Sequence, residues 1–414
     1  MIKYLRLFSN LKFAIFLLLT IAFCSIIGSV VEQDKTLKFY QSNYPVVKPL
    51  FGFINWKFII FFQLDHLYRN DWFILLLLLL GLSLFSCTIS QQLPTLKFSR
   101  HCHFIKKARV KKNFIINSKT LKIHKFLYSL NKQNYFIFQQ RRTFYNSKGL
   151  IGRIAPIFVH LSIILILLGS ILASIFGFNA QEFLSKTEIS RIQNIATIGN
   201  FSKINQAPIR LNDFWITYRK TGQIRQFYSN LSILDNKGTE RKLQTIYVNN
   251  PFIYKNLTIY QTDWLLDGIR IGIESLSVQL PFFKINNFSE KGDFLTLLPL
   301  NQSFQLIQIK TYHGYLYNLQ GKLIRVIDLN EYLDINTIKL KDIISSTGLQ
   351  IKSDPGIVYI YIGFSFLMIS TLVSYISFAE IWFIKKIEKK ELIINAKANR
   401  SINQLEMELF KSLN

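Results

Sequence analysis

The sequence predicts a membrane protein with four transmembrane α-helices and a large antiparallel β-rich extracytoplasmic (lumenal) domain between helices 3 and 4. Three observations predict it. Half of the 414 residues are apolar, 37 of them Phe. They gather in four stretches close to the length that crosses a bilayer, about 20 residues at a rise of 1.5 Å for a hydrocarbon core of roughly 30 Å. The basic residues are spread unevenly among the connections. The longest connection alternates apolar with polar residues and places turn residues between the runs, as antiparallel strands require.

Taken in order, residues 1–31 comprise an amino-terminal tail and the first span, Leu11–Val31, which carries no charge after Lys12. A run of that length without a small-residue cleavage site exceeds the apolar region of a signal peptide, so the span is expected to stay in the mature chain. Residues 32–71 form a short lumenal connection. Within it, Phe51–Phe62 is too short to span and carries Lys57, which leaves two readings open: a segment lying along the interface, or a buried loop. The second span covers residues 72–90, a basic loop 91–153, and the third span 154–178. The β-rich domain occupies 179–356, the fourth span 357–383 (ending SFAEIWF), and a basic tail 384–414. Trp72 and Trp382, at helix ends, read as interfacial anchors.

Orientation follows from charge. The net charge is +26, and the loop 91–153 holds 15 Lys or Arg residues with no Asp or Glu, against five basic and four acidic residues in 32–71. The positive-inside rule therefore places that loop, and both basic termini, on the cytoplasmic or stromal face. Residues 179–356 are nearly balanced, with 20 basic and 15 acidic. The basic loop lacks any recognised nucleic-acid motif, and such residues beside membrane helices commonly meet anionic lipid, so no nucleic-acid partner is expected.

From Ile209 onward, runs such as IRLNDFWITYR, IRQFYSNLSIL and ERKLQTIYV are separated by turn residues, Gly222 and Asp235 to Gly238. Tyr, Ile, Phe and Thr suit a pleated, half-buried surface, and a β-sandwich or open barrel is expected. Nothing in this domain looks catalytic: its one histidine is His313, and it has no paired carboxylates, nucleophile elbow or phosphate loop.

Three residues remain for thiol chemistry, Cys24, Cys87 and Cys102. Helix rise puts Cys24 roughly 18 Å and Cys87 about 5 Å from the inner face, with Cys102 beyond it, whereas a disulfide needs Cα atoms within about 7 Å. There is no CxxC. The triplet His101, Cys102, His103 reads as part of a solvated basic loop, because neighbours in sequence do not make a tetrahedral ligand set unaided. His160 differs. It lies about 9 Å inside the third span by helix rise, where an ionisable group is costly and usually functional. A neutral imidazole there can be an axial ligand to haem iron, or a group hydrogen-bonded to a neighbouring helix. No other span contains His, so any second haem ligand must come from a partner.

At this point the chain resembles the ResB/CcsB family of cytochrome c biogenesis proteins, in its plastid and cyanobacterial form. The resemblance runs through LRLFSNLKFAIFLLLTIAFCSIIGSVVEQD and YQSNYP, GLIGRIAPIFVHLSIILILLGS, VNNPFIYKNLTIYQTDW, and TGLQIKSDPGIVYIYIGFSFLMISTLVSYISFAEIW. It implies an accessory, non-enzymatic subunit of the System II haem-attachment complex. The implied partners are a CcsA-type haem-handling membrane protein, apocytochromes c and the lipid membrane, with haem held transiently. The family's intramembrane histidine falls on His160, and Asp354, Pro355 and Gly356 match its approach to the last helix, where Pro and Gly are also an ordinary turn. Gln261 and Asp263 are taken as fold residues. An AT-biased composition and the lack of a transit peptide fit a plastid thylakoid protein with stromal termini, or a cyanobacterial membrane. The rival class is a membrane insertase or assembly factor that needs no haem. A transporter lacks support, for internal repeats and broken helices are not visible.

Overall fold

The computed structural model describes the chain except residues 1–7, 48, 51, 53, 95–101, 103, 105–113, 118–122, 205, 221–222, 274–275, 283–293, 301–302, 311–312, 319, 330, 334–337, 387–390 and 414. Two compact units emerge: Met1–Ser174 with Gly356–Asn414, and Ile175–Pro355.

The first unit contains α1 (Leu11–Val30), α2 (Leu37–Asn43), α3 (Trp56–Phe61), α4 (Asp71–Cys87), α5 (Ile123–Lys132), α6 (Leu150–Phe176), α7 (Ile357–Ser374) and α8 (Ile402–Leu413). Four of these, α1, α4 with its continuation to Gln92, α6 and α7, are long and apolar enough to cross a membrane. Their outward side chains, among them Leu18, Phe23, Leu78 and Phe364, are exposed, which is stable only where the surrounding solvent is lipid. Asn10 starts α1 by accepting the N–H of Lys12 at 3.0 Å. Gln33 ends it: Nε2 donates to the carbonyls of Gly28, Val31 and Leu64, while Oε1 accepts the N–H of Leu67. One side chain thus satisfies the Gly28 carbonyl in the last turn and that of the cap residue Val31 and ties the helix end to the 3-10 turn Leu64–Arg69.

The connection after α1 forms a small core of its own from Val31, Tyr40, Tyr44, Ile54, Ile59, Leu64, Leu67 and Phe73. Within Phe51–Phe62, Ile54 and Ile59 are buried in that core while Phe61 is 80% exposed. Phe51 and Phe53 lie outside the described residues.

The fourth helix stops at Ser374 rather than Phe383, and residues 379–386 are a strand. The physical reason is Glu380, which is 8% exposed. As part of a strand its carboxylate accepts the Tyr145 hydroxyl at 2.9 Å and lies 3.5 Å from Arg153. A helix continued into lipid would leave that charge unpaired. Trp382 is accordingly no helix-end anchor but packs on Tyr145, ring centroids 5.9 Å apart.

The basic loop and the tail fold together. Strands β1 (Phe114–Asn117), β2 (Phe136–Gln140) and β3 (Thr143–Lys148) from the loop join β18 (Ala379–Lys386) and β19 (Glu391–Ala398) from the tail in one antiparallel sheet, ordered β1-β19-β18-β3-β2. Helices α5 and α8 cover it, burying Phe126, Leu130, Leu405 and Leu409 against Phe144, Ile381, Phe383 and Ile394. Tyr135 donates to Glu408 at 2.7 Å, and Lys148 pairs with the same carboxylate at 2.7 Å.

The second unit is antiparallel β throughout its described strands, as the alternation predicts. Its long strands β11 (Leu257–Ile273) and β17 (Ile338–Ser353) pair along most of their length and extend a sheet that includes β4 (Phe178–Ser185) and β6 (Ile195–Ile198). The first half of this sheet packs on a second one built from β7 (Ile209–Tyr218), β8 (Ile224–Leu234) and β9 (Glu240–Tyr247), enclosing Leu184, Leu211, Phe214, Leu231, Ile259 and Ile351. The other half, through Ile269, Ile271 and Leu340, shares a further core with Ile307, Ile309 and Leu316 of a meander. The expected sandwich is therefore two cores strung along the same pair of strands. At the turn between β8 and β9, Asp235 accepts the N–H groups of Lys237 and Thr239, each at 2.9 Å. Gly222 lies outside the described residues.

Candidate functional site at His160

Three apolar helices bring the site together. Asn70 caps α4, its Oδ1 accepting the N–H of Trp72 at 3.3 Å, and Asp71 in the first turn complements the helix dipole. At its other end α4 runs into a π-helical turn, Thr88–Gln92, in which Leu93 N–H reaches back to the Thr88 carbonyl. Such turns are rare and often sit at functional places. The same end of α4 is tied to the start of α1, for Ser83 donates to the Phe8 carbonyl at 2.7 Å and Gln91 to the Ser9 carbonyl at 2.9 Å.

Helix α6 begins at Leu150, a turn earlier than the apolar stretch, because Arg153 meets Glu380 there. His160 is consequently ten residues into α6, about 15 Å from its start by helix rise. On its far side α6 meets α7 at close range. A Cβ added to Gly169 would lie 2.9 Å from the Gly356 carbonyl oxygen, and one on Gly363 2.6 Å from Ile166 Cγ1. Small residues at such crossings let membrane helices approach backbone to backbone.

His160 faces α4. Thr88 Oγ1 donates to the Leu84 carbonyl at 2.8 Å and lies 3.2 Å from His160 Nδ1. With its proton committed, the hydroxyl accepts, so Nδ1–H is the donor. The other ring nitrogen, Nε2, then carries a lone pair, and Gln92 Nε2 donates to it at 3.0 Å. Gln92 Oε1 is buried with no hydrogen-bond partner. The result is a neutral imidazole of fixed tautomer, its Nδ1–H held from behind and its Nε2 lone pair aimed across the α4–α6 interface. An imidazole that ligates a metal ion usually donates its other ring N–H in this way, which fixes the ring. Haem iron fits the donor set: one neutral nitrogen in an apolar setting. Of the two readings left open by the sequence, the structure shows the imidazole hydrogen-bonded to a neighbouring helix, through Thr88 and Gln92 of α4 and its continuation.

The remaining singled-out residues do not join this site. Cys24, Cys87 and Cys102 are free, and no group of His, Cys, Asp or Glu able to hold a metal ion occurs among the described residues. His101 and His103 fall outside them. His313 pairs with Asp328. Gln261 belongs to a buried trio, donating to Thr347 at 2.7 Å while Ser229 donates to the same hydroxyl at 2.9 Å. Asp263 sits at an irregularity in β11 and accepts the N–H of Trp264. Gly356 is the close-contact residue of α7. Sequence reasoning missed Thr88 and Gln92. Their signal was two polar side chains four residues apart at the end of an apolar helix, hence on one face.

Comparison with known proteins agrees with the family resemblance. The model of the ResB-like family matches residues 11–291. A protein of Heterosigma akashiwo named cytochrome c biogenesis protein Ccs1 is 48% identical over 420 residues, covering 99% of this chain and 98% of its own. Proteins of the same name from Thalassiosira pseudonana and Porphyra purpurea are 47% and 44% identical, covering 97% and 99% of this chain and 97% and 95% of their own. Among solved structures, cytochrome c heme lyase CcmF superimposes with a TM-score of 0.25 at 8% identity, over 73% of this chain and 30% of that one, too loosely to inform the fold.

Proposed function

The chain belongs to the ResB-like family, and on that footing we propose that it serves the biogenesis of c-type cytochromes at the haem delivery and attachment step, as an accessory subunit beside a CcsA-type membrane partner. Attachment joins two apocytochrome thiols to the vinyl groups of haem. Haem is cargo in this reading, and the chain contributes a holding point for it, not a catalytic group.

The observation that carries the proposal is the hydrogen-bonding of His160. Thr88 fixes the ring so that Nε2 is the only nitrogen with a lone pair, inside an interface where a polar residue without a function is unfavourable. No other histidine occurs in α1, α4 or α7, so an opposing axial ligand comes from the partner. The 175–355 unit, with its two cores on continuous long strands, is the rigid element that positions apocytochrome or partner.

The membrane is the plastid thylakoid, in keeping with the algal relatives. The termini and the folded 91–153 loop are stromal, on the charge asymmetry of the loop. Protease added to the lumenal face of sealed membranes then cuts within 179–356 and spares 91–153.

The test is His160→Ala in the full chain co-purified with its partner. Loss of the Soret band, and loss of covalent haem in membrane c-type cytochromes while both proteins accumulate normally, are expected, with partial restoration by added imidazole. Cytochromes matured at wild-type levels in that variant would refute the holding role and favour an assembly factor that handles no haem.

A further inference from the structure

We propose that Gln92 is a displaceable latch on His160 and Thr88 the residue that orients the ring, so that access of iron to Nε2 is governed by the π-helical turn they share. The proposal rests on the haem-holding role of His160 and adds how that site is closed when empty.

The Nε2 lone pair can serve one partner at a time. Gln92 Nε2 holds it at 3.0 Å, so a ligand that binds through Nε2 must first displace the amide, whereas the Thr88 contact at Nδ1 is compatible with both states. The latch is itself poorly satisfied, for Gln92 Oε1 is buried without a hydrogen-bond partner, and a group left in that condition is unfavourable. Releasing Gln92 therefore loses one hydrogen bond but relieves an unsatisfied acceptor. The backbone offers a route. Thr88–Gln92 is wound with one extra residue in its closing bond, Leu93 N–H to Thr88 carbonyl. Rewinding that turn to α pairing swings Gln92 around the helix axis while Thr88, at the start of the turn and anchored to Leu84, stays in place. Two positions of one side chain then correspond to two pairings of one turn, the kind of bistable element that a ligand can bias.

The experiment uses the full chain with its partner in detergent, titrated with reduced haem and read by Soret absorbance. A parallel measurement on haem-free protein follows diethyl pyrocarbonate modification of His160 by mass spectrometry. Gln92→Leu removes the donor at similar volume, and haem should bind tighter by up to about five-fold, the worth of one ordinary hydrogen bond being the upper bound, with faster modification of His160. Gln92→Glu presents only acceptors, turns the ring to its Nε2–H form, and should weaken haem binding. Thr88→Val frees the ring and should weaken it too, with Thr88→Ser restoring wild-type behaviour. Unchanged affinity and unchanged His160 reactivity in Gln92→Leu, while His160→Ala still abolishes haem binding, would overturn the latch and leave the holding role standing. Retention of haem by His160→Ala sinks the holding role instead, and the reactivity of His160 in Gln92→Leu still decides the latch.

Discussion

Replacing Gly356 by Ala adds a single methyl group, and the structure says where it would go. Gly356 has φ of −80°, so the backbone tolerates any residue and only space is at issue. The new Cβ would fall far inside contact distance of the Gly169 carbonyl oxygen and 2.9 Å from Ala173 N. These are backbone atoms of α6, which no rotamer change can move. Carbon needs about 3.5–4.0 Å, and a gap of 0.5–1 Å opened elsewhere along a packed face forfeits roughly a quarter to a half of each contact's attraction. Overpacking of this kind costs about 1–3 kcal/mol. Gly81 is the control, because its added Cβ meets nothing nearer than Leu167 Cδ1 at 3.9 Å. Ala there relieves a helical glycine, worth up to about 1 kcal/mol. Unfolding of the full chain in bicelles, titrated with dodecyl sulfate, should separate the two variants by about 2–4 kcal/mol, with Gly169→Ala between them. Gly356→Ala as stable as Gly81→Ala would show that α6 and α7 do not cross at these glycines.

Three further outcomes are expected. Gln33→Ala removes the four hydrogen bonds that join the end of α1 to the 3-10 turn. It should destabilise that connection by about 1–3 kcal/mol, read as faster hydrogen exchange at Leu67; unaltered exchange there would contradict it. Tyr135→Phe strips a donor from Glu408, whose carboxylate also holds Lys148. Because burial, and then Glu408, push the Tyr135 hydroxyl above its usual range so that it remains a donor, the loss should be about 1–2 kcal/mol at any ordinary pH, seen as earlier proteolytic release of α8. Asp235 is held down at about 2, first by the Thr239 side chain and then by the Thr239 and Lys237 N–H groups. Its folded value is depressed, so its contribution is present above the ordinary value of 3.8 and lost as pH falls toward 2; a carboxyl that titrates at the ordinary value by NMR would disprove the turn.

Much was legible in the sequence alone, and for identifiable reasons. A bilayer imposes length and composition on a spanning helix, so α1, α4 and α6 could be read from apolar runs, and the two-residue period of strands exposed β7, β8 and β9. His160 stood out because the only polar groups tolerated at such depth are rare enough to notice. The loop 91–153 hid its fold for the opposite reason. Its 15 basic residues dominate any window, and short strands such as Thr143–Lys148 bury their side chains only when β18 and β19, some 235 residues away, supply the rest of the sheet. The end of the fourth helix was misplaced through the same kind of distant partner. SFAEIWF continues the apolar run of the helix before it with a single charge, and Tyr145 and Arg153 decide that Glu380 belongs in a strand.

The sequence by itself determined the solvent in which this chain lives, the number of its long apolar helices, the β character of its inserted domain and the one histidine within its spans. What only the tertiary structure decided is what that residue touches. Composition and period act locally, along one helix or one strand, and so survive in the sequence. The partners of a side chain are set by which helix faces which, and Thr88 and Gln92 meet His160 from 72 and 68 residues away because α4 and α6 pack side by side.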